Sequence, residues 1–182
     1  GGAVLDEAKL KWINKIHIGR MQNSHIITVL DNFIPNSIRQ LPGYSEERLN
    51  LIIPILTERI TTLKEVTEMC ESGEILYFFE RPEYEGKLLY WKKDPSKENT
   101  RAILEELLEI FDNISEDVFT VNGITEALMD IVERKGKGNV LWPLRYALSG
   151  CAKSPDPYTL ASIFGKDEYV DRLYKKKKKL NS

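Results

Sequence analysis

In the stretch VLWPLRYALSGCAKSPDPYTLASIFG, from Val140 to Gly165, a single arginine stands between an apolar helical stripe and a loop with two prolines. Leu144, Ala147 and Leu148 share one helix face at i, i+3, i+4 spacing, and Arg145 falls about 100° from Leu144, at the edge of that face. Its stem is therefore packed while its fork of donors reaches solvent. Pro143 suits the first turn of this helix, which reads as about two turns long, and Gly150 suits its left-handed stop. The loop then runs Lys153-Ser154-Pro155-Asp156-Pro157-Tyr158, with Asp156 placed to cap a following helix that has Pro157 at its first position. A stiff apolar ledge beside a guanidinium suits an unstacked nucleobase, which offers a flat face and acceptors along its edge. An ordinary Pro-rich turn between two helices has the same pattern, and spacing does not separate the two readings.

Elsewhere the sequence offers little for covalent or acid–base chemistry. Its carboxylates fall opposite the apolar stripes, on solvent faces, and no acid/base pair or nucleophile triad emerges. Cys70 and Cys151 are far apart and outside any CxxC or His/Cys cluster, so they read as buried or bystander thiols and no metal site is expected. Trp12, Trp91 and Trp142 read as core side chains rather than stacking platforms, with only Trp142 beside the arginine.

The net charge of −2 conceals a strong asymmetry. Residues 134–182 hold 12 Lys and Arg against 4 Asp and Glu, whereas residues 1–133 hold 14 against 24. A C-terminal balance of +8 points to a polyanionic partner. Lys175 to Lys179 read as a solvated helix end or tail, and the segment stays basic without them. No stretch is apolar enough for a membrane span, and the start lacks the pattern of a secretory signal, so a cytoplasmic location is expected.

Helical periodicity dominates the elements that must hold the arginine and its loop. Leu49, Ile52, Ile53, Leu56, Ile60, Leu63 and Val66 follow steps of three and four, with Pro54 expected to kink or break the run. Ile103, Leu104, Leu107, Leu108 and Phe111 mark a second helix. Val121, Ile124, Leu128 and Ile131 mark a third, after the cap-like Ser115-Glu116-Asp117. No period-2 alternation persists and no internal repeat occurs, so the class is all-α, with two small helical domains in tandem. ERPEYEGKLLYWKKDPSKEN reads as a connector, which sets the domains at 1–95 and 96–182.

LWPLRYALSG, KSPDPYTL and IFGKDEYVDRL together resemble the C-terminal end of the bacterial glutamate-tRNA ligase (glutamyl-tRNA synthetase) family. There PLR, a Gly turn, a Pro loop and a late Gly-Lys recur in that order. GAVLDEAKLKWINKIHI is similar to the segment that follows the family's catalytic domain, and IIPILTERITTLKEV to its first anticodon-domain helix, so the resemblance spans essentially the whole chain. It implies two all-helical anticodon-binding domains of a class I aminoacyl-tRNA synthetase, detached from the ATP-dependent fold that activates glutamate, with the catalytic site upstream of residue 1. By position, Arg145 corresponds to the family arginine near the first anticodon base. Lys153, Ser154, Pro155 and Pro157 correspond to the loop contacting the anticodon, and Arg59 is a candidate for the third base. Pro157 stands where the family varies, and Cys151-Ala152 have no contact role.

The resemblance implies tRNA(Glu), or also tRNA(Gln), as partner, with no DNA, no membrane and a monomeric state. ATP with magnesium belongs to the full-length enzyme, and no cofactor is expected in this part. His17-Ile18-Gly19-Arg20 is close to the HIGH signature that holds ATP phosphates in class I ligases. However, that signature follows a strand and needs a distant KMSKS loop, which this sequence lacks, so His17 and His25 are read as structural. The competing reading is a helical protein–protein interaction module with a solubilising basic tail.

Overall fold

Apolar stripes at helical spacing account for nearly all the regular structure. The computed structural model describes residues 6–21 and 23–181. Among them are ten α-helices, three 3₁₀ turns and no β-strand, the one extended pairing being an isolated bridge between Trp91 and Asp94. They group into two units, Gly1–Glu80 and Arg81–Ser182. The opening residues of the GAVLDEAKLKWINKIHI segment lie outside the described residues.

The first unit holds α1 (Glu7–Arg20), α2 (Asn23–Asp31), α3 (Asn36–Arg39), α4 (Glu46–Arg59) and α5 (Lys64–Glu71). Ser45 caps α4 by accepting from the Arg48 amide at 3.0 Å. Leu49, Ile52, Ile53, Leu56, Ile60 and Val66 are buried as their spacing requires, and Leu63 is half-buried. The helix does not break at Pro54. That residue lies on the exposed side with Asn50, whose carbonyl loses its amide partner there and can bond to water instead. The break comes at Ile60, where the backbone turns extended, and Glu65 fixes the corner by accepting from the Thr61 amide at 2.8 Å and its hydroxyl at 2.7 Å.

The second unit holds α6 (Lys97–Asp112), α7 (Val121–Ala127), α8 (Met129–Lys135), α9 (Lys137–Ser149) and α10 (Pro157–Asn181), the last interrupted at Gly165. Ile103, Leu104, Leu107 and Phe111 of α6 are buried, as are Ile124, Leu128, Ile131, Val140, Leu144 and Leu173. Phe111, Phe119 and Tyr169 meet edge to face with centroids 5.1 to 6.1 Å apart, the geometry aromatic quadrupoles prefer.

Four sequence expectations change here. The third helix is two, α7 and α8, joined at Leu128, and its cap is Thr120, which accepts from the Gly123 amide at 3.2 Å, while Glu116–Val118 forms a 3₁₀ turn. The helix carrying Arg145 starts six residues before Pro143, at Lys137, because Gly136 with φ 87° ends α8 and lets a new helix begin at once. Pro143 is buried mid-helix. Residues 81–95 do not act as a connector to the first unit but belong to the second. Lys176 donates to the Pro82 carbonyl at 2.7 Å, and Trp142 Nε1 donates to the Leu88 carbonyl at 3.1 Å. The lysine run is a helix end that is solvated only in part: Lys175 and Lys178 are exposed, but Lys176 is buried over the Tyr84 ring at 4.3 Å, and Leu180 is buried beyond it. The side chain of Lys179 lies outside the described residues.

Gly150 joins these parts. It takes the left-handed conformation at φ 70°, and a Cβ there would lie 2.5 Å from Pro82 Cβ and 3.0 Å from Tyr84 Cδ1. Gly150→Ala is therefore expected to cost about 1–3 kcal/mol. Urea unfolding followed by circular dichroism measures this, and a midpoint equal to wild type would mean that Pro82 and Tyr84 do not press on this turn.

Candidate nucleic-acid interface

Seven residues, Gly150 to Asp156, cross from the end of α9 to the start of α10, and five side chains hold this loop. At its entry, the Arg172 guanidinium donates from Nη1 to the Leu148 carbonyl at 2.5 Å, one of the α9 carbonyls left without a helical partner. Ser149 Oγ turns back to donate to the Arg145 carbonyl at 2.8 Å and accepts from the Cys151 amide at 3.3 Å. In the middle, Arg145 Nη1 donates to the Ser154 carbonyl at 2.5 Å. At its exit, Asp156 accepts from the Thr159 amide at 2.9 Å and hydroxyl at 2.8 Å, and the Tyr169 hydroxyl donates to the Pro157 carbonyl at 3.1 Å.

The cap by Asp156 and the helix start at Pro157 agree with the sequence reading, as does the placement of Arg145. Leu144, Ala147 and Leu148 are fully buried, and Arg145 is half-buried beside them. Its role is wider than a free fork of donors, because one nitrogen is spent on the loop. Among the described residues Nε and Nη2 take no protein partner. Lys153 is exposed at the loop's crest, and Ser154 and Pro155 are half-buried. Pro157 is buried, so it shapes the loop from below and presents no surface. Burial, then the nearby Asp156 carboxylate, hold the half-buried Tyr158 phenol above its usual range, which keeps it neutral.

Arg59 belongs to the first unit. Its guanidinium is paired with Glu74 in a groove of about 530 Å³ whose walls include Glu65 and Glu68. Trp142 tilts against Tyr146 at 5.0 Å rather than lying over the loop. Trp12, expected in a core, is 64% exposed on α1. His17 to Arg20 form the last turn of the same helix, which is not the strand-to-loop setting a phosphate-binding signature needs.

The sequence reading missed Tyr169 and Arg172 as the residues that set the loop. They lie three apart on α10, hence on one face, and their signal was present: Arg172 stands four residues after Glu168, with which it pairs at 2.7 Å. It missed Lys166 as well. Backbone at φ 72°, ψ 169° breaks α10 at Gly165 and turns Lys166 toward the end of α6, where its ammonium donates to the Ile114 carbonyl at 2.6 Å. The Gly-Lys pair thus ties α10 to α6.

Comparison with known proteins places the chain in a family. Residues 26–176 match the family model described as an anticodon binding domain. The chain is 30% identical over 177 residues to a glutamate-tRNA ligase of Clostridium kluyveri, covering 94% of this chain and 34% of that protein. It is 28% identical to a glutamate-tRNA ligase of Lachnoclostridium phytofermentans, covering 94% and 33%. A crystal structure of a glutamate-tRNA ligase from Elizabethkingia meningosepticum in complex with its amino acid superposes with a TM-score of 0.69 at 26% identity, over 98% of this chain and 33% of that one. The chain thus spans about a third of the length of the relatives it matches. With the family model matched from Ile26 to Lys176, the chain belongs to the anticodon-binding domain family and is homologous to the C-terminal part of glutamate-tRNA ligases.

Proposed function

We propose that the second unit reads a tRNA anticodon, with one base splayed from its loop onto the ledge formed by Ser154 and Pro155 and met by Arg145. The observation that carries this reading is the division of the Arg145 guanidinium: one nitrogen is bonded to the Ser154 carbonyl, and its two remaining nitrogens take no protein partner among the described residues. A guanidinium so fixed can offer two parallel donors to a base edge without first losing its own freedom. Lys153 supplies a cation for the adjacent phosphate.

In this reading the chain acts as a monomer within a glutamate-tRNA ligase, a class I synthetase that joins glutamate to tRNA(Glu), and to tRNA(Gln) where the third anticodon base is tolerated. Arg59 meets that third base only by exchanging Glu74 for it. ATP and magnesium serve the activation of glutamate in the full-length enzyme. The helical setting of His17 to Arg20 does not fit a nucleotide, so residues 6–181 contribute RNA recognition and no chemical step. Purified chain is accordingly expected to show no glutamate-dependent ATP–pyrophosphate exchange, and measurable exchange would overturn the assignment of His17.

The reading is tested with anticodon stem-loops that differ at the first anticodon base. Arg145→Ala is expected to lower affinity on every stem-loop, because it also frees Ser154, and to remove a further 1–3 kcal/mol of preference for the correct base, the rough value of a bidentate base contact. Arg145→Lys should retain part of the affinity but not the preference, since an ammonium cannot reproduce a planar fork. Equal losses on all stem-loops for both variants would demote Arg145 to a loop anchor.

A further inference from the structure

Most basic side chains of the second unit are spoken for. Arg81 pairs with Asp171, Arg134 with Glu106 and Asp130, and Lys177 with Glu105, while Arg172, Lys166 and Lys176 serve backbone carbonyls. Four lysines gathered in one place differ. Lys92, Lys93, Lys135 and Lys137 are all exposed and, among the described residues, none forms an ion pair. They come from two segments more than forty residues apart, and the structure brings both to the start of α9.

The contact that joins them is between Trp91 and Gly138. A Cβ at Gly138 would lie 2.2 Å from Trp91 Cζ2, so the indole rests directly on the α9 backbone, where no larger residue would admit it. Trp91 and Asp94 close a tight turn through their bridge and a 3.0 Å bond from the Asp94 amide to the Trp91 carbonyl, which leaves Lys92 and Lys93 as its two central residues. Lys93 lies over the indole at 5.8 Å. On the other side, Gly136 breaks the chain between α8 and α9, and Asn139 Nδ2 spans the break by donating to the Lys135 carbonyl at 3.0 Å. Lys135 and Lys137 thus flank the same corner. The nearest acid in the turn, Asp94, accepts from Asn99 Nδ2 at 2.7 Å and caps no lysine. The positive end of the α9 dipole adds to the field there.

We infer that these four lysines form a docking surface for the phosphate backbone of RNA, distinct from the loop at the other end of α9. Arg145 lies eight residues after Lys137 on α9, a rise of about 12 Å, on the order of three to four steps of a stacked strand. A backbone held at Lys92, Lys93, Lys135 and Lys137 is thereby set at the distance at which a base three or four nucleotides away reaches Arg145. The inference rests on the anticodon reading for its geometry but not for its chemistry, because a lysine cluster holds phosphates whatever the sequence.

The test uses the intact chain with the same anticodon stem-loops over a range of salt. Lys92→Gln/Lys93→Gln and Lys135→Gln/Lys137→Gln are each expected to weaken binding to all stem-loops evenly and to reduce the slope of log K against log salt by about 1.4, or roughly 0.7 per lost contact. The base preference should stay as in wild type. Lys9→Gln/Lys64→Gln, exposed lysines of the first unit with the same change in net charge, should leave slope and affinity nearly unchanged; equal effects from this pair would overturn the inference in favour of a simple net-charge effect. Wild-type base preference with no slope change in the lysine variants would also overturn it while leaving the anticodon reading intact. Sequence-indifferent binding that the lysine substitutions weaken would support the surface and defeat the anticodon reading. No binding to any RNA would defeat both.

Discussion

A guanidinium that is 2% exposed must satisfy five donors without water, and the second unit is arranged around that demand. Arg172 meets it with the Glu168 carboxylate on its own helix, the Leu148 carbonyl at the end of α9, and the face of Phe164 at 3.9 Å. The Leu148 contact matters most for the fold. A carbonyl in the last turn of a helix lacks an amide partner, and a buried one cannot turn to solvent. Because Arg172 supplies the missing donor, α9 can end inside the unit, and the chain can leave it through the left-handed turn at Gly150.

A helix that ends this way hands the chain to a loop with little freedom. The loop's entry is set by Arg172 and by Ser149, its exit by Tyr169 and Asp156, and two prolines remove backbone torsions between them. Tyr169 is itself locked among Phe111 and Phe119, so the hydrogen bond to Pro157 comes from a side chain that cannot swing away. Arg145 is then the one cationic loop anchor that is half-exposed rather than buried. A guanidinium held by its own loop would lose less entropy on binding than a free side chain would, and its bond to the Ser154 carbonyl holds the loop's shape without a ligand.

Much of this was legible in local sequence, and the reason is that the legible parts are local in physics. The stripe Leu144, Ala147, Leu148, the cap at Asp156 and the stop at Gly150 each depend on neighbours within four residues. The parts that were not legible depend on partners far along the chain. Residues 81–95 carry the composition of a connector, yet Trp91 finds Gly138, and Lys176 finds Pro82, only once the helices have packed. Pro143 reads as a helix start because its missing amide is least costly there, but Gly136 had already ended the preceding helix and allowed a new one to begin sooner. Trp12 shows the opposite failure: size and apolarity argue for burial, and it is exposed.

In the proposed reading, the placement of cations along α9 also lets affinity and specificity be served without competing in this unit. Contacts to phosphate gain strength from charge alone and tolerate small displacements, whereas a base edge is read only if donors are fixed to a fraction of an ångström. Among the described residues, exposed lysines without ion pairs around the start of the helix suit the first task, and an arginine in its second half, tied to the following loop, suits the second. Between them Val140, Leu141, Leu144, Ala147 and Leu148 bury one face of the helix, and Pro143 is buried with them. A helix packed along that length cannot shift in register without opening the core, so the separation of the two ends is fixed by the hydrophobic effect rather than by either polar cluster. The same apolar stripe that places Arg145 at its edge therefore also sets the distance from Arg145 to the lysines.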